Sequence, residues 1–103
     1  MSTVHNYTLF LELVANREHK LAELNQHLGE RHSFKCVKYS AGGVKNMEHE
    51  IWCLASWMPH EDIIEAILKV EWDDPDTMVL VYKEQFDDEF TILKGLSNFK
   101  EQS

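Results

Sequence analysis

The chain has 103 residues, 44% of them hydrophobic and 11% aromatic, and its 18 acidic side chains against 10 basic ones give a net charge of -8. That length accommodates one hydrophobic core, and the apolar content is too high for a disordered acidic tail. The charge works against general nucleic-acid binding, because a polyanion repels such a chain instead of releasing counterions to it, and no apolar run approaches the ~20 residues that span a bilayer.

Tyr7 to Val14 alternates, with Tyr7, Leu9, Leu11 and Leu13 on one side and Phe10 and Val14 on the other, which predicts a strand with a buried face. Asn16 is the expected N-cap of a helix carrying Leu21, Leu24 and Leu28 at helical spacing, and Gly29 is expected to close it in a left-handed conformation. Phe34 to Ser40 and Glu48 to Trp57 read as two strands joined by a hairpin through Ala41-Gly42-Gly43-Val44. Their register stays open: a two-residue turn at Gly42-Gly43 sets Cys36 opposite His49, whereas a loop extending to Asn46 sets Cys36 opposite Cys53. Reduced, buried thiols are the simplest reading of the two cysteines, with a disulfide between them as the alternative.

Pro59 suits the first turn of a second helix, where Glu61 and Asp62 complement the dipole and Ile63, Ile64, Ile67, Leu68 and Val70 form an apolar stripe. Asp73-Asp74-Pro75-Asp76 breaks that pattern, and Thr77 to Lys83 resumes as a β-rich, central strand. Beyond it, Phe86, Phe90 and Leu93 fit a helix, while Phe90-Thr91-Ile92-Leu93 fits the return strand of a hairpin turning at Asp87-Asp88; the hairpin is preferred. Residues 1–94 are thus expected to form a single α+β domain, and residues 95–103 a flexible tail from which Leu96 and Phe99 can dock.

The order β-α-β-β-α-β over Tyr7 to Lys83 resembles the ferredoxin-like split β-α-β arrangement, an antiparallel sheet with both helices on one face, here with an extra C-terminal strand. The resemblance is one of element order and not of any motif, and it implies no particular activity. Among ferredoxin-like enzymes are small acyl-phosphate hydrolases and cofactor-free or haem-degrading oxygenases; Asn6, Trp57 and Trp72 are similar to polar and indole groups of the latter, but no histidine follows His60 to complete the pattern.

The charge is local. Glu71 to Phe90 holds eight acids against Lys83 alone and so carries -7 of the -8. Six histidines invite a metal, but none lies in a His-Glu-x-x-His or comparable spacing, so neither metal nor cofactor is expected. Cys36 beside His32 or His49 lacks a recognisable oxyanion hole, and Asp73-Asp74-Pro75-Asp76 and Asp87-Asp88-Glu89 lack the alternation of a calcium loop. Trp52 and Trp57, five apart, are expected on opposite sides of the sheet, one of them on a face away from the helices.

These features predict a small, cytoplasmic, non-enzymatic regulator that binds a protein with a basic surface, an inhibitor or immunity-type protein acting on a nucleic-acid-binding partner being one form. Its expected contact residues are Asp73, Asp74, Asp76, Asp87, Asp88, Glu89, Trp52 and Trp57. The alternatives are a ligand-binding or enzymatic domain with a deep apolar cavity on the open sheet face, and a homodimer or larger assembly built on that face.

Overall fold

The computed structural model describes residues 4–12, 16–29, 31–37 and 49–100. Among these residues it is an α+β fold in which five antiparallel strands form one open sheet, accompanied by three α-helices. In chain order the elements are β1 (His5–Glu12), α1 (Arg17–Leu28), β2 (Lys35–Cys36), β3 (His49–Ser56), α2 (His60–Leu68), β4 (Val79–Lys83), β5 (Thr91–Lys94) and α3 (Leu96–Phe99), with a 3-10 turn at Pro75–Thr77. The strands lie side by side in the order β2-β3-β1-β4-β5.

Period-2 patterning explains the sheet. His5, Tyr7, Leu9 and Leu11 of β1 point to one side and are buried, while Asn6, Thr8, Phe10 and Glu12 point to the other. Leu9 stands opposite Trp52 and Leu80, Trp52 opposite Cys36, and Leu80 opposite Leu93, so one apolar row crosses all five strands. Leu24 and Leu28 of α1, Ile63, Ile64 and Ile67 of α2, and Phe99 of α3 join that face in one core cluster. Among the described residues, the helices therefore cover one side of the sheet.

Helix α1 starts after Asn16 as expected, but Asn16 itself is left-handed (φ 58°) and its side chain makes no capping bond; its carbonyl accepts from the His19 and Lys20 amides. Gly29 closes the helix at φ 95°. Asn25 then pins the next segment, donating from Nδ2 to the Phe34 carbonyl (3.1 Å) and accepting from the Phe34 amide (2.8 Å). Loss of both bonds leaves part-buried backbone groups unpaired, so Asn25→Ala is expected to cost about 1–3 kcal/mol in urea unfolding; an unchanged midpoint would show that water replaces the amide without loss.

Helix α2 begins at His60 with Pro59 as its cap, one residue later than expected, and Trp72 closes it by donating Nε1–H to the Ile67 carbonyl at 2.9 Å. The preferred hairpin after β4 is present: β5 pairs antiparallel with β4, Ile92 opposite Val81. Within residues 95–100, Leu96–Phe99 form α3 and Phe99 docks fully buried in the core. Gly95 makes that return by turning at φ 81°, its amide donating to the Met78 carbonyl at 2.7 Å.

The observed register is neither expected pairing: Cys36 lies opposite Trp52, and Lys35 opposite Cys53. The turn at Gly42-Gly43 and the loop to Asn46 lie outside the described residues. A shift of one residue flips a side chain across the sheet. Cys36 accordingly lies on the helix side near Glu50 (3.4 Å), Cys53 lies on the opposite side near Thr8 Oγ1 (3.8 Å), and the two form no disulfide.

Candidate functional site

The face of the sheet away from the helices is apolar at its centre. Cys53, Thr8, Val81 and Ile92 form one row across β3, β1, β4 and β5, and Ile51, Phe10 and Val79 form the next. Val37 extends the second row, its amide bonded to the Ile51 carbonyl at 2.8 Å. Lys35 and Lys94 mark the two edge strands, and none of the described helices covers this face.

At one corner the face continues into the β4–β5 turn. Asp87 builds that turn by accepting from the Glu84 amide through Oδ2 (3.2 Å) and donating its own amide to the Glu84 carbonyl (3.0 Å). Gln85 ties it to the start of β1: its amide donates to His5 Nδ1 at 3.1 Å, and its side-chain oxygen accepts from the Val4 amide at 3.0 Å. With the backbone held, three large apolar side chains are left in solvent: Phe86 is 83% exposed, Phe90 61% and Ile92 56%. Asp87, Asp88 and Glu89, all exposed, lie between the two phenylalanines, and Lys83 Nζ sits 5.8 Å from the Phe90 ring centroid.

The two acidic clusters separate. Asp87, Asp88 and Glu89 belong to this turn, whereas Asp73, Asp74 and Asp76 precede β4 at its other end, roughly 16 Å away along a five-residue strand. Asp73 is paired there with Lys20 at 3.6 Å. Trp57 is 58% exposed and meets His32 edge-on with ring centroids 4.5 Å apart, at the same end of the sheet as the turn. Trp52 corrects the expectation of a contact residue: it has no exposed surface, packs against Trp72 at 5.9 Å, and serves the core. Phe86 and Phe90 stand outside the expected contact residues, and their acidic neighbours alone do not signal exposure, since Trp72, flanked by Glu71, Asp73 and Asp74, is buried.

Next to the turn, β4 and α2 bring together side chains far apart in sequence. The His60 ring stacks on Tyr82 (centroids 5.0 Å apart, planes 13° apart), its Nδ1 is hydrogen-bonded to Glu84 Oε1, and its Nε2 lies 3.3 Å from Glu61 Oε1. Tyr7 donates its hydroxyl to the Met58 carbonyl at 2.5 Å. Burial first, then the charges of Glu84 and Glu61, push both Tyr7 and Tyr82 above the usual phenol range, although at Tyr82 a hydrogen bond with Thr91 opposes the rise.

The hydrogen bond from His60 holds the Glu84 carboxyl below its usual 4.5, with burial partly opposing. A lowered folded-state pKa contributes stability that is present above the ordinary value and is lost as pH falls through the folded one. The stability difference between the native chain and Glu84→Gln is therefore expected to shrink as pH drops below about 4.5; a difference equal at every pH would contradict this role.

Two depressions, of 240 Å³ beside His27, Asp62 and Lys69 and of 420 Å³ beside Arg31, Lys35 and Cys53, are open and bordered by charged residues. Neither is a deep apolar cavity. No described helix is long and apolar enough to cross a membrane. Comparison of the chain with protein-family models, curated proteins and solved structures finds no match.

Proposed function

We propose that this chain is a non-enzymatic protein-binding regulator whose contact surface is the sheet face away from the helices together with the β4–β5 turn. The observation that carries the reading is the exposure of Phe86, Phe90 and Ile92 on one hairpin, contiguous with the apolar rows around Phe10 and Val81. Exposed aromatic anchors supply binding energy in protein interfaces, and contiguous apolar surface on an otherwise charged domain marks an interaction site. Asp87, Asp88 and Glu89 border those anchors and select a partner with lysines or arginines beside an apolar pocket. A nucleic-acid-binding protein, an inhibitor's or immunity protein's target, has that chemistry.

A second copy fits less well, because it would bring one -8 chain against another. The split β-α-β reading is part of the proposal: β1 lies between β3 and β4, β3 lies between β1 and β2, and both longer helices pack on one side. Among the described residues, no helix lies on the opposite side of the sheet.

Neutralising the turn with Asp87→Asn, Asp88→Asn and Glu89→Gln is expected to slow association with the partner about 10-fold or more at low salt, with little change in dissociation. The native complex should weaken as salt shortens the Debye length to about 8 Å, and the variant, which keeps a charge of -5, should weaken less. Association that ignores both the variant and the salt would remove the steering role.

A further inference from the structure

We infer that His60, Glu61 and Glu84 form a binding site for a divalent transition-metal ion, Zn²⁺ by preference. Each offers one ligand atom, and the three atoms lie within 4.8 Å of one another. No sequence spacing announces the site, because Glu84 reaches it from the end of β4 while His60 and Glu61 open α2. An imidazole with two carboxylates suits a borderline ion better than the all-oxygen shell of Ca²⁺ or Mg²⁺.

Two of the three ligands already stand as neighbours on one ion would. His60 Nε2 and Glu61 Oε1 are 3.3 Å apart, the separation of neighbouring ligands on a tetrahedral ion with bonds of about 2.0 Å. On the other side of the ring Nδ1 is hydrogen-bonded to Glu84 Oε1, so the Glu84 carboxylate leaves that bond and turns toward Nε2 to join Glu61 on one ion. Stacking on Tyr82 fixes the plane of the imidazole. His60 is 22% exposed and Glu84 31%, so an ion reaches the site and, once the Glu84 carboxylate has turned, water completes its shell.

The surrounding charge also suits a cation. Glu61, Glu84, Asp62 and Asp87 all act on the paired phenols Tyr7 and Tyr82, and these carboxylates offset the positive N-terminal end of α2. His5 faces Glu84 as the neighbouring base, with its Nδ1 engaged by the Gln85 amide. An ion here would join α2 to the first residue of the β4–β5 turn, since Glu84 is bonded to Asp87 through both its amide and its carbonyl. The site does not depend on the protein-binding proposal.

Calorimetric titration of the EDTA-dialysed full chain with ZnCl₂ at neutral pH tests it. One strong site is expected, weakened about 10-fold or more by His60→Gln, by Glu84→Gln and by Glu61→Gln, and unchanged by His27→Gln on the exposed surface of α1. Glu61 is 54% exposed, so its variant keeps the test valid should either of the other two fail to fold. Absence of strong binding by the native chain, or equal binding by the folded variants, would overturn the site and assign any zinc uptake to scattered surface histidines.

Discussion

Replacing Phe90 and Ile92 together with serine is expected to abolish partner capture while leaving the fold intact. Both side chains lie mostly in solvent, at 61% and 56% exposure, so their loss removes little core packing. An anchor of this kind contributes about 2 kcal/mol or more to an interface, roughly 30-fold in affinity each at 25 °C. The measurement is equilibrium binding of the captured partner by native and variant chains, with circular dichroism as the control for folding. Partner affinity within about threefold of native would show that the hairpin is not the anchor.

The second large effect is on stability. Trp52 is fully buried at the centre of the row that crosses all five strands, faces Leu9 across β1 and packs on Trp72. Trp52→Ala is expected to cost about 3–5 kcal/mol, through lost transfer energy and the cavity left behind. Domains of this size are stable by about 5–15 kcal/mol, so the variant should show a strongly reduced urea midpoint and partial unfolding on mild heating. A loss below about 1 kcal/mol would mean that the neighbouring side chains collapse into the space.

Much of the fold could be read from the chain because alternation and helical spacing are local signals. Tyr7 to Leu11 alternates cleanly and is a strand; Leu21, Leu24 and Leu28 share a face and lie on a helix; Ile63, Ile64 and Ile67 do the same. What failed was non-local. The β2–β3 register depends on how chain closure places Cys36, and a single residue separates the observed partner Trp52 from the considered partner Cys53. Four residues at Leu96–Phe99 are too short to announce a helix, and Phe99 is ordered by the core it enters.

The candidate surface was legible in composition and not in position. The acidic excess of Glu71 to Phe90 was evident, but its division into two clusters follows from β4 lying between them. Trp52 and Trp57 are alike in the sequence; parity and the end of β3 bury the first and expose the second. Glu50 was not foreseen at all. It is a buried carboxylate approached by Trp52 Nε1 of its own strand at 3.4 Å and paired with Arg17 at 2.7 Å, and the crossing of α1 over the sheet supplies the arginine.

The most direct measurement of the protein-binding claim is quantitative affinity capture from cell lysate with three baits: the native chain, the Phe90→Ser/Ile92→Ser variant and the turn-neutralised variant. Each bait's oligomeric mass is determined in solution beforehand. The account predicts a monomeric bait that retains a basic protein, lost with the apolar variant and reduced with the neutral one. Retention of the same proteins by all three baits, or a native bait that is wholly a dimer disrupted by the apolar substitutions, would contradict it.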